Sequence, residues 1–432
     1  MKSAPVGFIA ARLLAGRRDP GGRGDLARRA LRGAVLSVGL SLVPLITVMQ
    51  VADGMIQGIS ARYVELGTSH AQAHSYAPGA DWQLAREAAL GLPGVTGAWL
   101  ETQSVGVAFA GGRREGAAIR AVEQGFLEDA GTAEYLELVA GSLSMEAPND
   151  ALIGVAMAES LGLAPGDTVN LITIRRSAGG EPLPRVSILN VRGIVSAGYR
   201  ELDSQWLFLR QESASRYLPK ESSRTVLGVK GEDPFKRPDA LALALQEAMP
   251  PGFTTWSWRA LQLNLFESLA STRTLLLLIM AITVAVASVN VSSALTTLVM
   301  ERRQEIAVLK SLGARPEDLA RTFSLGGAFL GAAGATIGAA GGLLASVRIN
   351  ELIHGLEWLS NAVRALFAAP GAGAERVRIL DPGYYLERIP IEIAYGELAA
   401  VVALTVLISF LAALMPARRA AALDPMEAFR KR

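Results

Sequence analysis

The chain has 432 residues, of which 50% are hydrophobic and only 19% charged, with a formal net charge of +2. It has no cysteine, which excludes disulfides, thiol catalysis and cysteine metal sites. The small net charge gives no reason to expect a nucleic-acid partner, because the basic residues crowd into the three short segments described next.

Residues 1–32 carry Arg12, Arg17, Arg18, Arg23, Arg28, Arg29 and Arg32, and are expected to form a cytoplasmic N-terminal segment. The first uncharged run, Gly33–Ala52, places a transmembrane helix at 33–53, since roughly 20 apolar residues cross a hydrocarbon core about 30 Å thick. Pro44 removes one helical hydrogen bond within it. The run lies too far from the N-terminus, and is too long, for a cleaved signal peptide.

Residues 54–272 are expected to fold outside the membrane as an α+β domain. Trp82–Leu92 reads as a short helix with Trp82, Leu84, Ala85, Ala88 and Ala89 on one side, and Val95–Phe109 as a strand. Pro238–Met249 followed by Phe253–Trp258 forms a second helix–strand unit. Between them lies a β-rich insertion at about 126–225, with strands at Thr168–Ile174, Val186–Val195 and Gln205–Leu209. Asp53–Leu66 and Leu261–Arg273 are expected to be helical stalks.

The uncharged runs Thr274–Met300, Thr322–Val347 and Leu398–Ala417 place further transmembrane helices at 273–300, 322–347 and 394–417. In the lipid core every backbone group must bond internally, so these runs are helical. Asn290, Ser293 and Thr297 share one face of the second span and are candidate cavity-facing residues, although packing with self-bonded hydroxyls accounts for them too. The third span repeats glycine at four-residue intervals (Gly327–Gly331, Gly334–Gly338, Gly338–Gly342), the spacing that lets helices approach closely.

Residues 301–321 and 418–432 are basic, as is 1–32. All three fall on one side of a four-span chain, which puts both termini in the cytoplasm and 54–272 and 348–393 outside. Within 348–393, Asn350–Leu366 reads as a helix. Residues 301–321 form a coupling helix and elbow: Ile306, Leu309 and Leu312 are read as one apolar stripe, Gly313 ends the helix, and Pro316 starts the next with Glu317 and Asp318 in its first turn.

Catalytic and cofactor signatures are missing. His70 and His74 are four apart but lack the glutamate and third ligand of a zinc motif, and read as surface residues. No GxSxG elbow or GxxxxGK[ST] phosphate loop occurs, so no ATP hydrolysis and no bound cofactor is expected of this chain. Any energy source must come from a partner.

Glu305-Ile-Ala-Val-Leu-Lys-Ser-Leu-Gly-Ala314 and Pro416-Ala-Arg-Arg-Ala-Ala-Ala-Leu-Asp-Pro-Met-Glu-Ala-Phe-Arg430 resemble the loop and tail motifs of the permease superfamily that includes FtsX and the macrolide-exporter permeases. Four further stretches resemble its lipoprotein-releasing (Lol-type) branch: Phe8–Leu14, Asp150–Asp167, Trp258–Phe266 and Leu380–Pro390. The resemblance covers nearly the whole chain. It implies an α-helical membrane protein with four transmembrane helices plus a large α+β periplasmic domain between the first and second, in the bacterial inner membrane.

By the same resemblance, the chain pairs with a second permease, the same or a sister, above a cytoplasmic ATPase dimer that holds ATP and magnesium. Glu301, Glu305, Ile306, Leu309, Lys310, Leu312 and Gly313 would couple to that ATPase. Lipoprotein cargo would leave a cavity between spans one and two for a periplasmic carrier. Arg175, Arg176, Glu181, Pro182, Pro184 and Arg185, in the stretch joining two strands, would be the candidate carrier-binding loop, with an ordinary hairpin loop as the alternative. A macrolide-exporter-like permease for amphiphiles or peptides, and a non-transporting FtsX-like relay to cell-wall hydrolases, remain the other readings.

Overall fold

The computed structural model describes residues 25–77, 79–176, 181–367 and 393–422. Residues 1–24 of the Arg-rich segment, the tip of the 175–185 segment, the Leu380–Pro390 motif and the tail beyond Ala422 lie outside these residues. The chain divides into two compact units, residues 1–54, 270–372 and 390–432 in one and 55–269 with 373–389 in the other.

In the first unit, helices α1 (Asp25–Arg62), α5 (Leu263–Glu301), α7 (Pro316–Val347) and α9 (Tyr395–Ala412) each contain a window long and apolar enough to cross a membrane, with mean hydropathy from 1.6 to 2.7. Helix α1 continues through Pro44. The apolar core joins Val38, Leu42 and Ile46 of α1 to Val284, Val291 and Leu295 of α5, Phe323 and Ala335 of α7, and Val401 of α9. Shorter helices include α2 (Trp82–Leu90), α3 (Val155–Leu161) and α4 (Pro238–Ala248) in the second unit, and α6 (Arg303–Ser311) in the first. After α7 come α8 (Ile349–Phe367) and, following α9, α10 (Leu414–Ala422).

The glycines of α7 let its neighbours in on two sides. A Cβ on Gly334, Gly338 or Gly342 would stand 2.8, 2.5 and 2.8 Å from the Cβ atoms of Val38, Leu42 and Ile46. These three positions, four residues apart, form one groove for α1. Gly327 and Gly331, on another flank, admit Ala413 and Ser409. Buried hydroxyls bond their own helix backbone, as in Ser288 to the Val284 carbonyl (2.9 Å) and Thr405 to that of Val401 (2.8 Å).

Among the described residues the second unit has ten strands: β1 (Ala71–Ser75), β2 (Val95–Ala110), β3 (Arg113–Val122), β4 (Glu137–Gly141), β5 (Asp150–Gly154), β6 (Thr168–Arg176), β7 (Pro182–Ser196), β8 (Trp206–Arg210), β9 (Arg224–Gly231) and β10 (Phe253–Ser257). Strand pairing runs β2–β3–β8–β5–β7–β6 and back to β2, which closes a small barrel. Alternate side chains fill its inside, among them Ile119, Ile153, Val169, Leu171, Leu189, Leu207 and Leu209. The other half of the 16-residue β2 pairs with β9 and extends the sheet through β1 to β10. Helices α2 and α4 cover that extension through Ala85, Ala89, Ala242 and Leu245.

Leu84 was placed on the packed side of its helix, but it is 50% exposed, and Ala85 and Ala89 form the buried edge. The β-rich part does not begin near 126, because β2 and β3 supply two of the barrel walls.

His70 and His74 are not surface residues: both are buried, at 6% and 4% exposure. They lie at and beside the short strand β1, between β9 and β10, where four-residue spacing puts both on one face. The His74 Nε2 lies 3.1 Å from the Gln72 side-chain oxygen, and burial first, then the Arg224 charge, lowers its pKa to about 4. The unfolded chain takes up a proton near pH 6.5 that the folded unit refuses until about pH 4. Stability is therefore full above pH 6.5 and falls through that window as the pH drops. His74→Gln should flatten this loss, read as a smaller difference between urea midpoints at neutral pH and at about pH 5.

Candidate functional site

The elbow between α5 and α7 is short and sharply defined. Helix α6 ends when the Gly313 N–H donates to the Lys310 carbonyl and the Ala314 N–H to that of Leu309, both at 3.0 Å. This paired closure needs a left-handed residue at the turn, and Gly313 has φ of +92°. Pro316 then opens α7, with Glu317 and Asp318 in its first turn.

The apolar stripe divides in two. Ile306 and Ala307 are fully buried in the membrane-unit core, with Leu309 packed beside them, whereas Leu312 is 80% exposed. Steps of three residues drift about 60° each around a helix, so Leu312 lies about 120° away from Ile306. The outward face of the elbow instead carries Glu301, Gln304, Glu305, Val308 (46% exposed) and Leu312. Val308 escaped the sequence reading. The signal for it was there, since Val308 and Leu312 are four apart and meet on one face.

Lys310 does not face outward with them. It donates to the Ala421 carbonyl (2.9 Å) and so ties the elbow to α10, whose Pro416, Ala417 and Ala420 are buried. Glu305 accepts from Arg302 at 2.5 Å. The elbow is thereby held from beneath by Ile306 and Lys310 and offers a mixed acidic and apolar face.

Of the cavity candidates, Asn290 and Ser293 are exposed and Thr297 half-buried. The Asn290 amide donates to the Ser37 hydroxyl at 2.6 Å, linking spans one and two across an otherwise open face. The Thr297 hydroxyl bonds the Ser293 carbonyl (3.1 Å). Near the opposite end of the spans, Arg273 of α5 pairs with Asp53 of α1 (3.3 Å) and with Glu397 of α9. Three spans thus share one arginine.

In the second unit, the π-helical turn Tyr63–Thr68 that prolongs α1 is clamped by buried charges. Lys230, 2% exposed, reaches Asp129 (2.6 Å), Glu65 (3.0 Å) and the Thr132 hydroxyl (2.9 Å). His70 Nδ1 accepts from the Gly231 N–H (2.8 Å), which leaves the proton on Nε2 to donate to Glu65 (2.7 Å). Arg120 grips Glu101 with two bonds of 2.6 and 2.7 Å and also donates to the Leu66 carbonyl. Glu101, Asp150 and Asp203 of this unit are likewise buried and bonded.

The candidate carrier-binding residues are in a β-hairpin rather than a long loop. Strands β6 and β7 stay paired out to Arg175↔Leu183 and Arg176↔Pro182, so Arg175, Arg176, Pro182, Pro184 and Arg185 belong to strands, with Glu181 just before β7. Arg185 donates to the Arg216 carbonyl. Next to the hairpin, the outer barrel wall is apolar. Val107, Ile172 and Val186 stand in one row across β2, β6 and β7, and Phe109 and Ile188 flank Asn170 in the adjoining row. Val105, Ile174, Val186 and Ile188 are 58–72% exposed. Strands apolar on both faces were the sequence signal for this wall.

Among the described residues no group of three or more His, Asp or Glu is placed to hold a metal ion.

Residues 277–425 match the FtsX-like permease C-terminal domain. The chain is 24% identical over 402 residues to the lipoprotein-releasing system transmembrane protein LolC of Xylella fastidiosa, covering 92% of each chain. To the LolC protein of Neisseria meningitidis it is 26% identical over 283 residues, 65% of each. The periplasmic region of MacB from Actinobacillus actinomycetemcomitans covers 49% of this chain and 95% of its own at 14% identity, with a TM-score of 0.30. The chain thus carries an FtsX-like permease C-terminal domain and is similar over most of its length to Lol-type transmembrane proteins.

Proposed function

We propose that this chain is the permease subunit of an ATP-driven ABC transporter that extracts lipoproteins from the outer leaflet of the inner membrane and passes them to a periplasmic carrier. The homology to lipoprotein-releasing proteins over 92% of the chain carries this reading. The chemistry agrees with it. Acyl chains held at about 0.8 kcal/mol per CH₂ do not leave a bilayer unaided, so release needs both coupled work and an apolar receiver.

In this reading both termini are cytoplasmic, residues 54–272 are periplasmic, and ATP and magnesium sit in a separate ATPase dimer docked on the elbow. Its outward face, Glu301, Glu305, Val308 and Leu312, is the docking surface, while Ile306, Leu309, Lys310 and Gly313 fix its angle. A second permease, the same or a sister, completes the cavity, into which Asn290, Ser293 and Thr297 face. The β6–β7 hairpin and the apolar barrel wall meet the carrier, whose own lining must be apolar to hold acyl chains.

Placing charge on that wall tests the carrier contact. Val107→Glu combined with Val186→Glu should weaken carrier binding at least about tenfold, or about 1.4 kcal/mol. Both residues are partly or largely exposed, so the melting temperature should hardly move. Calorimetric titration of the carrier into the purified permease provides the readout.

Cargo is tested by trapping. The complex purified with a hydrolysis-deficient ATPase should carry acylated lipoprotein, detectable by mass spectrometry. Recovery of a cell-wall hydrolase in its place would favour the relay reading, and recovery of small amphiphiles the exporter reading.

A further inference from the structure

Helix α8 follows span three after a single non-helical residue, Arg348. Its residues Leu352, Leu356, Leu359 and Val363 recur at intervals of four, three and four and so form one stripe along about 17 Å of helix. They are 50, 59, 52 and 46% exposed. That matches the outward residues of span two, Leu275 at 60%, Ile279 at 55% and Ile282 at 57%, within a helix long and apolar enough to cross a membrane. Leu344 and Val347, at the end of span three, are exposed in the same way (69 and 59%), so apolar surface continues from the span across Arg348 into the stripe.

We infer that α8 is an interfacial helix that lays the Leu352–Leu356–Leu359–Val363 stripe on the headgroup–acyl boundary of the bilayer. Its start is pinned at the membrane border by the span before it, so lipid is the surface within reach. Away from the stripe the helix carries its charged residues together with Trp358, which is 72% exposed: Glu351 pairs with Arg348 (4.0 Å), and His354, 81% exposed, with Glu357 (3.5 Å). Two acidic and two basic residues (Arg348, Glu351, Glu357, Arg364) balance, and no lysine is present to seek anionic lipid. Attachment therefore rests on apolar burial and not on headgroup charge. Such a helix fixes the height of the outer end of span three in the membrane.

The chain has no cysteine, so single-cysteine variants carry a unique label. Leu356→Cys, Leu359→Cys, His354→Cys and Asn361→Cys, each spin-labelled in the full-length protein in lipid nanodiscs, report the environment of each face. The labels at 356 and 359 should collide with oxygen several-fold more than with a water-soluble nickel chelate, and those at 354 and 361 the reverse. The pattern should be unchanged between purely zwitterionic discs and discs containing anionic phosphatidylglycerol. Nickel access at 356 and 359 equal to that at 354 would overturn the inference, as would shielding of both from oxygen and nickel alike, the mark of a covering protein. In the unsubstituted protein, a photoactivatable lipid should label the peptide containing Leu352–Val363. Labelling confined to the four spans would contradict the inference independently of any substitution.

Discussion

Gly338→Leu should prevent the four spans from packing. A Cβ at this position meets the Leu42 Cβ at 2.5 Å and the Gly39 carbonyl oxygen at 3.0 Å, so the clash is with backbone-proximal atoms that cannot rotate away. Overpacking of a flexible site costs roughly 1–3 kcal/mol, and a blocked helix contact falls at or above the top of that range. Association in lipid has no large hydrophobic term to offset it, because acyl chains solvate leucine as well as another helix does. Gly355→Leu is the matched control, since nothing lies within 4 Å of its Cβ position. Thermal unfolding in detergent should show a loss of at least several degrees for the first, with little monodisperse protein, and none for the second. Equal melting would mean that α1 and α7 do not meet at these glycines.

Lys230→Met should unfold the second unit more readily by about 3–5 kcal/mol, the usual cost of removing one partner from a buried charge cluster. Glu65 and Asp129 would then face each other's surroundings without a cation, and the Thr132 hydroxyl would lose its donor. Trp99, whose ring centre lies 5.9 Å from the Lys230 nitrogen, reports the local change by fluorescence during denaturation. Lys236→Met removes a solvent-exposed partner of Asp233 and should shift stability by no more than about 0.5 kcal/mol. Adding Glu65→Gln to Lys230→Met should recover part of the loss, because one stranded charge is gone. If the double variant is as unstable as the sum of the singles, the two groups are not coupled.

The clamp was invisible in the sequence for a physical reason. Glu65, Asp129 and Lys230 are far apart along the chain, and nothing in local periodicity tells a charged residue that it will be buried. The same holds for Arg120, which alternation within β3 turns away from the barrel interior that Ile119 fills, so that no local pattern marks its burial or its partner Glu101. By contrast, the spans and the glycine spacing of α7 were legible because both depend on local repeats: length without charge, and small residues every four positions. The helix stop at Gly313 and restart at Pro316 were legible for the same reason. The direction of Leu312 was not, since residues three apart drift around the helix by about 60° at each step.

The barrel shows a different limit. Its strands at 168–174 and 186–195 could be seen from alternation, but closure depends on β2 being long enough to serve two sheets, which alternation does not reveal. The apolar outer wall was missed because a strand apolar on both faces reads as buried, whereas here one face fills the barrel and the other stays open.

The central claim is that ATP-driven work entering at the elbow releases lipoprotein from the membrane. The most direct measurement reconstitutes the chain with its second permease and ATPase in vesicles containing an acylated lipoprotein, adds a soluble apolar carrier, and follows lipoprotein recovered with the carrier after ATP addition. Release should require ATP and carrier together, and should fall at least about tenfold with Val308→Glu and Leu312→Glu on the elbow face, at unchanged permease stability. Release that is equally fast with the charged elbow, or ATP turnover with the lipoprotein left in the vesicles, would contradict the account.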